Sequence, residues 1–118
     1  ARYLDCRFVL MHIAYPYSGE VLALAKHYRN VWVDLCWAWS IDPFSSADFV
    51  RRFIHTAPVN KLFAFGGDTG WPTSSTAYSI QARRWLNRLS RKSSRIPRHC
   101  RICILVARWT IQSLSRLL

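Results

Sequence analysis

Three polar side chains stand at or near the ends of apolar, strand-like runs in this 118-residue sequence. His12 follows Arg7-Phe-Val-Leu-Met11, Asp34 lies within Val31-Trp-Val-Asp-Leu-Cys-Trp37, and Asp68 follows Lys61-Leu-Phe-Ala-Phe65 and the pair Gly66-Gly67. An imidazole nitrogen and a carboxylate oxygen projected from neighbouring strands suit a shared divalent metal, and the same two groups can serve as an acid/base pair. Each also has an ordinary structural reading. A lone His on an apolar strand is commonly a hydrogen-bonded core residue, and an Asp after two glycines is commonly a turn residue. Asp34, which could simply bond a neighbouring loop, is the weakest of the three and is not counted as a site residue. Cys100-Arg-Ile-Cys103 has metal-ligand spacing but no second Cys or His pair after it, and no strand before it of the kind a redox dithiol needs.

Periodicity supplies the elements that would carry these groups. Residues 7–14 form a continuous apolar run, as expected for a strand covered on both faces. Ser18 is placed to cap a helix over 19–28 with an apolar stripe of Val21, Leu22, Leu24, Ala25 and Tyr28. Residues 31–37, β-branched and aromatic, read as the second strand. Ser45 and Asp48 have capping-box spacing ahead of Phe49, Val50, Phe53 and Ile54, in a helix that stops before Pro58. Residues 61–65 read as the third strand. A third helix after Pro72, capped by Ser74 or Ser75, carries Tyr78, Ala82, Trp85, Leu86 and Leu89 on its apolar side.

This alternation specifies an α/β fold with a parallel sheet. Strand starts lie 24 and 30 residues apart, close to the roughly 31 residues per unit of a (β/α)8 barrel of about 250 residues. Residues 7–90, within a domain of 1–90, are therefore expected to be three of the eight βα units of a partial TIM barrel; a small open doubly wound sheet is the rival, although such sheets usually have more strands. In either architecture functional groups gather at the C-terminal ends of the strands, where His12 and Asp68 fall.

The succession Phe8-Val-Leu-Met-His12 with Tyr15-Pro16, Asn30-Val-Trp-Val-Asp-Leu35 and Leu62-Phe-Ala-Phe-Gly-Gly-Asp68 resembles the last three strands of the metal-dependent amidohydrolase superfamily, in particular its amidohydrolase-2 group of TIM-barrel hydrolases and decarboxylases. The most specific stretch is Phe65-Gly-Gly-Asp-Thr-Gly-Trp-Pro72. The resemblance implies that Asp68 binds a catalytic divalent metal, zinc or manganese, or accepts a proton from its water, and that His12 sits beside the metal and polarises a small-molecule substrate. The family often has Gly after that His; here Ile13-Ala14 follow. The His-x-His of the family's first strand and the ligands of its fourth and fifth have no counterpart in this sequence. The chain is thus expected to be a fragment of a metal-dependent hydrolase, inactive alone. Its start at Ala1, close to a strand, suggests a piece cut from something longer. Exposed strand edges favour association.

Apolar residues make up 51% of the chain and charged ones 19%, which suits one packed domain and argues against a disordered chain. No run of 18 apolar residues is present, so no transmembrane helix is expected. The N-terminus lacks a signal peptide's apolar core, and the four cysteines are read as reduced, which places the protein in the cytoplasm.

The net charge of +11 is uneven: all six acids lie in residues 1–68 beside seven bases, and ten bases follow with no acid. The basic tail, 91–118, does not resemble the family's usual ending. It reads as an out-of-frame or disordered stretch, or as an amphipathic helix with Ile104, Ala107, Ile111, Leu114 and Leu118 on one face. The alternative function is nucleic-acid binding through the Arg-rich segment 83–101, which holds eight bases. Titrating salt against binding to a random duplex separates the two functions. The enzyme reading expects no binding at low salt, whereas a steep salt-dependent affinity that vanishes on truncation at residue 90 supports the alternative.

Overall fold

The computed structural model describes residues 2–92. Among them the chain alternates as expected: β1 (Phe8–Leu10), α1 (Ser18–His27), β2 (Val31–Asp34), α2 (Ala38–Ile41), α3 (Pro43–Thr56), β3 (Leu62–Phe63) and α4 (Pro72–Lys92). The strands form a parallel sheet in the order β1-β2-β3, with Phe8 opposite Val31, Leu10 opposite Val33, and Val33 opposite Leu62. β2 is the central strand, so both of its ladder edges are used, and β1 and β3 form the edges of the described sheet.

One face of the sheet is dry. Val31 and Val33 pack with Leu35, Trp39, Phe49 and Phe53 in a core that also takes Val21 and Ala25 from α1 and Ala82 and Leu86 from α4. The opposite face is open: Val9 and Phe63, which share it with Trp32 through the register, are each 47% exposed. A period-two alternation was hidden in the sequence because Val9, Trp32 and Phe63, on the outward face, are apolar as well.

The elements begin and end differently from the sequence expectations, for identifiable reasons. The first strand stops at Leu10, and Met11–Ala14 turn through a 3-10 segment. The second stops at Asp34, and four-residue α2 follows almost at once. In α1, Ser18 is the first helical residue rather than the cap, and Leu24 and Tyr28 are exposed while Val21, Leu22 and Ala25 are buried. The buried arc of that helix is turned toward α3 and β2. The second long helix starts at Pro43, whose fixed φ suits the first helical position. Asp42 therefore caps it, accepting from the Phe44 and Ser45 amides at 3.0 Å and from the Ser45 hydroxyl at 2.6 Å. The Ser45 hydroxyl and amide hold the Asp42 carboxyl below its ordinary value. Asp48, expected to complete a capping box, instead pairs with Arg51 and Arg52 at 2.8 Å each. Likewise α4 starts at Pro72, ahead of the serines expected to cap it.

The Arg-rich segment is described only in part. Arg84, Arg88 and Arg91 lie on the exposed side of α4, and the Arg88 guanidinium stacks 5.1 Å from the centre of the Trp85 ring, which meets Phe44 edge-on. Expectations for residues 93–118, the Cys100/Cys103 pair and the Ile104 to Leu118 face among them, lie outside the described residues. No described helix is long and apolar enough to cross a membrane.

Lys61 links the two crossovers. Only 9% exposed, it donates from Nζ to the carbonyls of Ala25 (2.9 Å) and Tyr28 (2.6 Å), closing the C-terminal end of α1 from the threshold of β3. Cations there complement the helix dipole and satisfy orphan carbonyls. Lys61→Met removes both bonds while keeping the apolar stem. Denaturant unfolding is expected to show a loss of roughly 1–3 kcal/mol, the usual cost of stranding buried acceptors; unchanged stability would show that α1 does not need this cap.

Candidate active site

The C-terminal ends of the three strands meet in a small polar cluster. His12 lies two residues past β1, Cys36 two past β2, and Asp68 five past β3. The chain pays for bringing them together with backbone strain: His12, Ile13, Ala14, Trp37 and Asp68 all adopt positive φ between 44° and 56°. Left-handed conformations of this kind cost non-glycine residues of order 1 kcal/mol or more each and collect at functional sites. The burial of Ile13, 0% exposed, holds the first turn in place.

His12 Nδ1 lies 2.8 Å from the carbonyl oxygen of Cys36. A carbonyl can only accept, so Nδ1 carries a proton and donates it. Nε2 then points at Asp68 Oδ2, 3.2 Å away. With Nδ1 donating to the carbonyl, Nε2 is left to face the carboxylate, either through a proton shared between them or through a metal ion held by both. Two donors of one tetrahedral zinc, each about 2.0–2.2 Å from it, are about 3.3–3.6 Å apart, close to the 3.2 Å found here. The donor set therefore fits a divalent ion. The side chains of His12 and Asp68 are 29% and 42% exposed, so the gap is open to water and substrate.

Cys36 is the residue that the sequence did not flag. It is buried, 3% exposed, and its Sγ lies 3.5 Å from His12 Nδ1. Donor atoms of His12, Cys36 and Asp68 all fall within 4.8 Å of one another. Burial, then the charges of Asp34 and Asp68, push the Cys36 thiol up to about 11, so without a cation it stays protonated and is a poor nucleophile near neutral pH. The signal available in the sequence was position: Cys36 follows the second strand as soon as that strand is ended at Asp34.

Asp34 does not join the cluster. Its Oδ1 accepts from the Cys36 amide at 2.6 Å, a local turn bond of the type Asp commonly makes. Trp37 sets its ring edge-on to His12, with centroids 5.8 Å apart, and its amide donates to the Gly66 carbonyl at 3.0 Å. Trp39 Nε1 donates to the Ala64 carbonyl at 3.0 Å. Both bonds tie the segment after β2 to the segment after β3.

Gly66 makes the approach possible. A Cβ there would overlap the Cβ of Cys36 and lie 3.2 Å from its Cα. Gly66→Ala must therefore push the two strand ends apart. It is expected to cost about 1–3 kcal/mol, as other overpacking substitutions do; a variant as stable as the original would show that the approach is not tight.

A family model described as Amidohydrolase matches residues 1–95, which includes every described strand and all three members of the cluster. No curated protein and no solved structure matches the chain.

Proposed function

The chain belongs to the amidohydrolase family, and we propose that it is the part of a metal-dependent hydrolase that carries the last three βα units of a (β/α)8 barrel. The observation that carries this reading is the His12 Nε2 to Asp68 Oδ2 separation of 3.2 Å at the C-terminal ends of parallel strands. The open face of the sheet, with Val9 and Phe63 exposed, is the face that the other strands of a barrel would enclose.

In this reading Asp68 holds the divalent ion, zinc or manganese, and His12 stands beside it. Such an ion supplies Lewis acidity and acidifies its water. The Asp68 carboxylate would be the group placed to hold the ion and to accept a proton beside it. His12, its Nδ1–H anchored on the Cys36 carbonyl, keeps Nε2 fixed on the reacting side, where it polarises or protonates the substrate. The parent reaction is hydrolysis of an amide, ester or lactone, ahead of decarboxylation or isomerisation. The substrate in this reading is a small molecule, the class on which amidohydrolases act. Because the remaining ligands of the family lie on strands outside this sequence, the chain by itself is proposed to bind metal without turning substrate over.

Two measurements on the purified chain test this. Zinc at a hundred times its Kd is expected to stabilise the fold by about 2.7 kcal/mol, and Asp68→Asn to remove that effect while leaving the metal-free stability within about 1 kcal/mol. A panel of esters, amides and lactones with zinc or manganese is expected to show no turnover. Zinc stabilisation that survives Asp68→Asn refutes the ligand assignment, and turnover refutes the fragment reading.

A further inference from the structure

We propose that Asp34 is a positioning residue of this site: its carboxylate takes the Cys36 amide and thereby fixes the Cys36 carbonyl on which His12 Nδ1–H is anchored. The inference rests on the reading of His12 as the group that faces substrate, and it adds the residue that holds the ring in place.

The bonding along β2 and its exit turn shows why the chain needs such a group. Successive residues of a strand turn their amides to opposite neighbours, while the N–H and C=O of any one residue face the same neighbour. Leu35 and Trp37 face β3, donating to the Phe63 and Gly66 carbonyls at 2.9 and 3.0 Å. Cys36, between them, therefore faces the β1 side. On that side the ladder has already ended, because Leu10 opposite Val33 is the last β1 pair and the chain then bends through Met11–Ala14. The amide of a buried residue that has lost its strand partner needs another acceptor. Asp34 Oδ1 supplies it at 2.6 Å, and amide bonds to a carboxylate are shorter and stronger than neutral ones.

The Cys36 carbonyl, on the same side, is then left for His12, whose Nδ1 lies 2.8 Å away. The bend that ends β1 holds His12 at φ 56°. One bend thus removes the strand partner of the Cys36 amide and delivers the ring that uses the Cys36 carbonyl; Asp34 compensates for the first and secures the second. The peptide after Cys36 is held as well, since the Trp37 amide bonds the Gly66 carbonyl and the Ala38 amide donates to the Cys36 carbonyl at 2.6 Å. Asp34 grips the peptide before it, so Cys36 is fixed from both sides. With Nδ1 committed to this carbonyl, Nε2 is the ring nitrogen that faces Asp68 at 3.2 Å. Asp34 therefore acts on the reacting side of His12 without touching the ring.

The Nδ1 proton reports this anchor directly. In the full chain with 15N-labelled histidine and a chelator present, a His12 Nδ1–H resonance, identified by its loss in His12→Gln, is expected to exchange slowly with water. Asp34→Ala, with its fold checked by the backbone amide spectrum, is expected to speed that exchange by at least about tenfold, the equivalent of losing a hydrogen bond to a charged group. Asp34→Asn, which keeps an acceptor oxygen in the same position, is expected to restore most of the protection. Where Asp34→Ala does not fold, Asp34→Ser, whose turn bond is weaker, is expected to show the acceleration instead. A folded Asp34→Ala or Asp34→Ser with unchanged exchange overturns the proposal, as does the lack of a slowly exchanging Nδ1 proton in the parent chain. Loss of the fold in both variants also overturns it, because the residue then supports the chain as a whole rather than the ring. No metal or substrate enters the measurement, so its failure leaves the Asp68 ligand assignment to be decided by the zinc experiment.

Discussion

The turn that leaves β2, residues 34–37, governs the polar geometry of this molecule. Asp34 accepts the Cys36 amide and tightens the turn; the Cys36 carbonyl then receives His12 from one side, and its Cβ abuts Gly66 on the other. The next amide, that of Trp37, bonds the Gly66 carbonyl. A central strand in a parallel sheet has neighbours on both edges, so a turn at its end is the one place from which both adjacent strand ends can be reached. The cluster exists because β2 is central and because its turn is short.

That arrangement is strained, and the strain is offset by packing. Ile13 is β-branched and left-handed at φ 51°, a conformation that such residues rarely adopt. Its complete burial supplies the compensating apolar contact. A Gly at this position would take the same backbone without penalty. This chain keeps the bend and meets its cost with the core. The same trade operates at Trp37, whose left-handed backbone places an aromatic edge against His12 and starts the helix that buries Trp39.

Legibility in the sequence followed the strength of the local signal. Alternation of apolar runs and amphipathic stretches was sufficient for the order of strands and helices, since it reflects burial in a layered α/β fold. Boundaries were less legible. Apolar composition continues past Leu10 and past Asp34, so nothing local marks where the ladder stops; Pro43 and Pro72, by contrast, did mark helix starts, but were outweighed by serines that looked like caps. His12 and Asp68 were visible as polar residues at strand ends. Cys36 was not, because a thiol in an apolar run is compositionally indistinguishable from core.

By itself the sequence determined the α/β class, the order of the elements, the family and the two polar residues most worth following, because each is written in local pattern or motif. Tertiary structure decided what those residues face. The 3.2 Å separation of His12 and Asp68, the proton fixed on Nδ1 by a carbonyl 24 residues away, and the entry of Cys36 into the cluster all depend on the register of β1 and β3 against β2. Register is a property of paired strands, set by what packs between them, and no single strand encodes it.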